Sequence, residues 1–173
     1  DPFAFAVKYK DNINEIKGPP KTKEDKEATD VVDTWLDGTG QMDKLTKMVI
    51  EGMKSGVAAC IPALNYRTLE ELKEAIYELK AAKVPGGSFG FNLIVNKSNI
   101  KYKEQLRILC EEGVDFIITS LGSPEETINE AHKAGIKVFC DVTDLKFAKK
   151  VEELGADAII AVNNEAGGHR GNS

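Results

Sequence analysis

From Gly56 onward, short apolar blocks alternate with stretches in which apolar residues thin to helical spacing. Gly56 to Pro62 is the first block. Thr68 to Lys83 follows as a predicted helix, with Leu69, Leu72, Ile76 and Leu79 on one stripe and Thr68 as N-cap. Glu70 and Glu71 lie in its first turn, where the helix dipole favours acids. Pro85-Gly86-Gly87 breaks the chain, and Ser88 to Val95 reads as the next strand. The alternation predicts helices over Tyr102 to Glu112, Pro124 to Ala134 and Asp144 to Leu154. Strands are predicted over Val114 to Ser120, Ile136 to Val142 and Asp157 to Asn163. Gly113, Gly135 and Gly155 close these three helices, each leading directly into an apolar strand, as a left-handed C-cap does.

Strands that are nearly continuous apolar runs belong to sheets covered on both faces, which are typically parallel. Five such βα repeats fit an open doubly wound sheet or most of a β/α barrel, and periodicity leaves both open. The nucleotide-binding Gly-x-Gly-x-x-Gly start is absent, because Gly52, Gly56 and their neighbours lack that spacing. Residues 1–55 do not share the repeat. Phe3 to Val7 reads as a strand, and Lys17 to Asp30, with Gly18-Pro19-Pro20 and alternating charges, as a turn or mobile surface segment. Asp43 to Lys54 reads as a helix turning Leu45, Met48, Val49 and Met53 toward the sheet. The predicted boundary therefore separates an atypical, partly mobile N-terminal segment, 1–43, from the repeating region, 44–173.

Composition narrows the class. The 173 residues suffice for one domain with a core. A net charge of −5 argues against nucleic acid or an anionic membrane as the main partner. No apolar run reaches the roughly 18 to 20 residues of a spanning helix, and the first residues show no leader pattern. Cys60, Cys110 and Cys140 are odd in number and embedded in apolar stretches, which predicts buried free thiols and a reducing, cytoplasmic setting. Two histidines, His132 and His169, do not supply an all-protein zinc site, so no metal is expected.

In parallel α/β folds, ligands lie beyond the C-terminal ends of the strands. That rule gathers Pro62 to Asn65, Asn92, Ser120 to Pro124, Asp141, Thr143 and Asn163 to His169 at one mouth. Gly167-Gly168 allows the backbone to approach a flat ligand or an oxygen anion closely. His169 is of the residue type that titrates near neutrality, so it reads either as a proton donor and acceptor or as a structural loop histidine. Glu165 reads as its orienting partner or as a backbone cap. Asn92 either offers its amide to a ligand or ties adjacent strand ends. Asp141 is either a pocket group or a solvated strand-end carboxylate. His132, late in a helix, reads as surface. A nucleophile elbow, Walker loop, paired-carboxylate motif and Cys-x-x-Cys are all absent.

Three segments in order carry a family resemblance: Phe89-Gly90-Phe91-Asn92-Leu93, Ser120-Leu121-Gly122-Ser123-Pro124, and Gly155 to Ile160 leading into Glu165-Ala166-Gly167-Gly168-His169-Arg170-Gly171. From about Lys44 to Gly171 the chain resembles the FMN-dependent nitronate monooxygenases, formerly 2-nitropropane dioxygenases, a family that also includes flavin enoyl-acyl-carrier-protein reductases. The resemblance implies a TIM-type (β/α)8 barrel whose second to sixth strands are those read above, making 44–173 a partial FMN-binding barrel. It implies FMN contacts from Asn92, Asp141, Gly167 and Gly168, substrate contacts from Asn163 and Glu165, and His169 as the catalytic histidine. The implied reaction is oxidative denitrification of alkyl nitronates with molecular oxygen. The alternatives are NAD(P)H-dependent enoyl-acyl-carrier-protein reduction and a noncatalytic flavin-fold binding domain. A homo-oligomer is left open.

The chain departs from the family pattern at three places. Val162-Asn163 stands where Gln-Gly is usual, Asp141 where glutamine is common, and the first-strand Gln-Gly-Pro-Met is not visible. A carboxylate beside FMN needs a partner or must turn away. The glycine-rich segments of a seventh and eighth strand, which hold the FMN phosphate in the family, are also not found. The expectation is therefore a barrel completed by a further segment of the same polypeptide.

Overall fold

The computed structural model describes residues 42–163, with side chains from Thr46 onward. The segment read as 1–43 lies outside these residues save for its last two positions, as does any barrel-completing strand. Helix α1 (Met42–Lys54) leads into β1 (Ala58–Pro62) and a short 3-10 turn, Ala63–Asn65. There follow α2 (Leu69–Ala82), β2 (Ser88–Ile94), α3 (Tyr102–Glu112), β3 (Phe116–Ser120), α4 (Glu125–Lys133), β4 (Lys137–Val142), α5 (Leu145–Glu153) and β5 (Ala158–Ala161).

The five strands form one parallel sheet in the order β1-β2-β3-β4-β5. A doubly wound sheet reverses its strand order at a switch point, whereas a barrel adds each strand beside the last. The sequential order decides between the two architectures that periodicity left open. This is a partial parallel sheet with flanking helices, in the manner of a β/α barrel.

One sheet face is covered by helices and carries the core. Phe89, Phe91, Leu93, Ile117, Val138 and Cys140 are buried there, against α2 Leu72, Ile76 and Leu79, α3 Ile108 and Leu109, and α4 Ile128. The helix α2 begins in a capping box: Thr68 accepts from the Glu71 backbone, and the Glu71 carboxylate accepts from the Thr68 backbone. Gly113, Gly135 and Gly155 take φ of 67°, 74° and 93°, the left-handed turn predicted for them.

Two clips hold the N-terminal ends of the strands. Asp115, one residue before β3, accepts from the Phe89 backbone N–H at 2.9 Å and pairs with Lys83. Asp157, one residue before β5, accepts from Val138 N–H at 2.8 Å, from His132 Nε2 at 2.9 Å and from Lys137 Nζ at 3.3 Å. Both acids follow a glycine cap, in Gly113-Val114-Asp115 and Gly155-Ala156-Asp157. Burial acts to raise the Asp157 pKa, but the three donors outweigh it and hold the carboxyl below its usual range. His132 is thus on the surface, as expected, but with a structural partner.

Helix α1 buries Thr46, Val49 and Met53, while Met48 is 42% exposed and lines a hollow with Ala59, Cys60, Ile61 and Pro62 of β1. One expectation needs correction. Cys140 is buried as predicted, but Cys60 and Cys110 are half-buried free thiols. Cys60 lies on the other, less covered sheet face, described next.

Candidate functional site

Alternation along the strands places Cys60, Gly90, Asn92, Phe116, Ile118, Ser120, Phe139, Asp141 and Ile160 on the inner face, opposite the helices. Its floor is apolar. The rings of Phe116 and Phe139 stack with centroids 5.1 Å apart. Gly90 makes room for Phe116: a Cβ there would come within 2.4 Å of both the Phe116 ring and its carbonyl oxygen.

Above that floor, toward the C-terminal strand ends, three polar side chains form a row. Asn92 Nδ2 donates to Ser120 Oγ at 2.7 Å, and Ser120 Oγ donates to Asp141 Oδ2. Register explains the meeting. Asn92 is opposite Ile118, so Ser120 lies one pleat further on the same face; Thr119 is opposite Cys140, which sets Ser120 abreast of Asp141. All three are half-buried. The chain of donors has one direction, because a carboxylate only accepts. The hydroxyl proton goes to Asp141, and the Ser120 oxygen receives an amide hydrogen of Asn92. Asn92 Oδ1 and its second N–H make no further hydrogen bond among the described residues.

The charge of this row extends across the inner face. Burial first, and the Asp141 carboxylate second, push the Cys60 thiol up to about 12. A thiol so held stays protonated and is no nucleophile. Beyond Ser120 the chain turns sharply: Leu121 takes a left-handed φ of 63° and is 52% exposed. A branched residue in that region costs roughly 1 to 2 kcal/mol. Val95 N–H donates to the Ser120 carbonyl at 3.0 Å and pins the start of this turn.

Beside the mouth, a cavity of about 500 Å³ opens between the loops after β2 and β3, lined by Asn96, Lys97, Ile100, Tyr102, Lys103 and Ser123 among others. Leu64, Ile100, Leu121 and Leu145, in or just after the loops of four successive strands, are each exposed.

The expected residues are thus partly assembled. Asn92 and Asp141 are joined, through Ser120. The strand-tying reading of Asn92 is met, since its amide joins β2 to β3. Asp141 is half-buried and partnered rather than solvated. Asn163 is exposed two residues past β5. Glu165, Gly167, Gly168 and His169 lie outside the described residues. Ser120 received no individual role from the sequence, although it ends an apolar strand at the level of Asp141, which is the signal that could have found it. The donor set fits FMN chemically. An amide offering one acceptor and one donor, above an apolar floor, suits a flat ring with alternating carbonyl and N–H groups.

Comparison with known proteins fits this geometry. The family model described as nitronate monooxygenase matches residues 36–173. A (3aS,4S,5R,7aS)-5-hydroxy-7a-methyl-1-oxo-octahydro-1H-indene-4-carboxyl-CoA dehydrogenase of Mycobacterium tuberculosis is 33% identical over 104 residues, 60% of this chain and 28% of that protein. A nitronate monooxygenase of Paraburkholderia phytofirmans is 42% identical over 67 residues, 38% of this chain and 18% of that one. Among solved structures, FabK from Thermotoga maritima superposes with a TM-score of 0.66 and 29% identity, covering 73% of this chain and 39% of that one. The chain spans less than half the length of the relatives it matches.

Proposed function

The chain belongs to the nitronate monooxygenase family, within the FMN-dependent TIM-barrel oxidoreductases, and from that premise we propose that it supplies one wall of an FMN- and NAD(P)H-dependent reductase of enoyl thioesters. The observation that carries this reading is the Asn92-Ser120-Asp141 row above an apolar floor at the C-terminal strand ends. Likeness to FabK at 29% identity supports it, as does the longer-matching relative, whose name specifies a CoA-linked substrate.

FMN, when bound, would supply hydride chemistry. The chain's residues hold and polarise. Asn92 would offer Oδ1 and an N–H to the ring, and Gly167 and Gly168, lacking side chains, would permit close approach. His169 donates the proton that accompanies reduction of the double bond, and Asn163 and Glu165 contact substrate.

A second reading, oxidation of alkyl nitronates with molecular oxygen, is favoured by the family description and the 42% identical relative. There His169 handles the α-proton of the nitronate. Anaerobic mixing of the full-length, FMN-loaded protein with NAD(P)H, followed by an enoyl thioester, separates the two. Rapid bleaching of the flavin and its thioester-dependent reoxidation are expected. Bleaching only by alkyl nitronate, with no response to NAD(P)H, reverses the ranking. His169→Gln is expected to lower turnover at least 100-fold with FMN binding intact; unchanged turnover removes His169 from this role.

A further inference from the structure

Resting on the reading of the inner face as a flavin wall, we infer that Asp141 is a positioning and charge-setting residue: through Ser120 it orients the Asn92 amide, and its carboxylate makes the bound flavin harder to reduce. The orienting half follows from the hydrogen-bond chain. Asp141 accepts the Ser120 proton, and Ser120 must then accept from Asn92 rather than donate to it. Asn92 is left with Oδ1 turned away from Ser120. Replacing the carboxylate by an amide removes that constraint, because an amide nitrogen at position 141 can donate to Ser120. The hydroxyl is then free to donate to Asn92, and the Asn92 amide can reverse.

The charge-setting half follows from position. Asp141 is on the half-buried inner face, and among the described residues it has no Lys or Arg in ion-pair contact. Its charge already acts on Cys60, on the far side of β2. Reduction by two electrons with fewer than two protons leaves negative charge on a flavin, and a carboxylate on the same wall opposes that charge. A neutral amide there would not.

The test is the flavin midpoint potential and the FMN dissociation constant of the full-length protein, with Asp141→Asn, Asp141→Gln, Asp141→Glu and Ser120→Ala. Asp141→Asn is expected to favour the reduced form at least tenfold, ~30 mV for a two-electron couple, with Asp141→Gln replacing it if the first variant does not fold. Asp141→Glu restores a potential near that of the parent. Ser120→Ala keeps the charge but cuts the tether, and weakens FMN binding at least threefold. An unshifted potential in the neutral variants, or an equal rise in Asp141→Glu, overturns the charge-setting half. Unchanged FMN binding in Ser120→Ala overturns the orienting half. A parent protein that binds no FMN overturns the flavin reading itself, an outcome distinct from an FMN-loaded protein with unmoved potential.

Discussion

Gly90 shows how a single missing atom shapes the inner face. A Cβ at this position would overlap the Phe116 ring and a backbone oxygen that cannot swing aside. Gly90→Ala is expected to destabilise the fold by about 1 to 3 kcal/mol, read as a fall in denaturation midpoint with unchanged m-value. Leu121 should behave in the opposite sense. Glycine relieves its left-handed backbone, so Leu121→Gly is expected to leave stability level or raised by up to about 1 kcal/mol, although an exposed leucine at the mouth is lost. A clear loss of stability in the same denaturation assay would show that the side chain contributes packing. The sequence motif Ser120-Leu121-Gly122 marked this turn, but nothing in it signalled that leucine, not the following glycine, takes the compact left-handed φ.

At the scale of elements, the paired clips at Asp115 and Asp157 set the foot of the sheet while the polar row occupies its top. In a β/α barrel, the bottom face serves stability and the top serves function. Asp157→Asn leaves Val138 N–H and His132 with a weaker acceptor and is expected to cost about 1 to 3 kcal/mol. Because the folded carboxyl titrates below its usual range, its contribution is complete above the unfolded pKa near 4. It is lost as pH falls through the folded value. The parent should therefore lose stability in acid more steeply than Asp157→Asn, a difference that urea titrations between about pH 2 and 5 would expose. Element positions were legible in advance wherever glycine caps punctuate apolar runs, and β2 to β5 fall within two residues of their expected limits. The burial of Thr46 was not legible, since a helix with apolar residues at 48, 49, 50 and 53 has more than one candidate stripe. The clips were missed because an acid after Gly-x reads as loop polarity until register brings a neighbouring strand's N–H to it.

For the whole molecule, sequential strand order was the decisive addition of the structure. Apolar blocks specify parallel strands but carry no record of which blocks become neighbours, so barrel-like and doubly wound arrangements shared one pattern. The same order has a consequence for assembly. The clips join residues separated by 26 and 19 positions, Phe89 to Asp115 and Val138 to Asp157. Loop-closure entropy grows only as the logarithm of such lengths, so each new unit docks at nearly equal cost on the one before it. A chain emerging from the ribosome can therefore lay down its sheet in order of synthesis, each strand finding its template already in place.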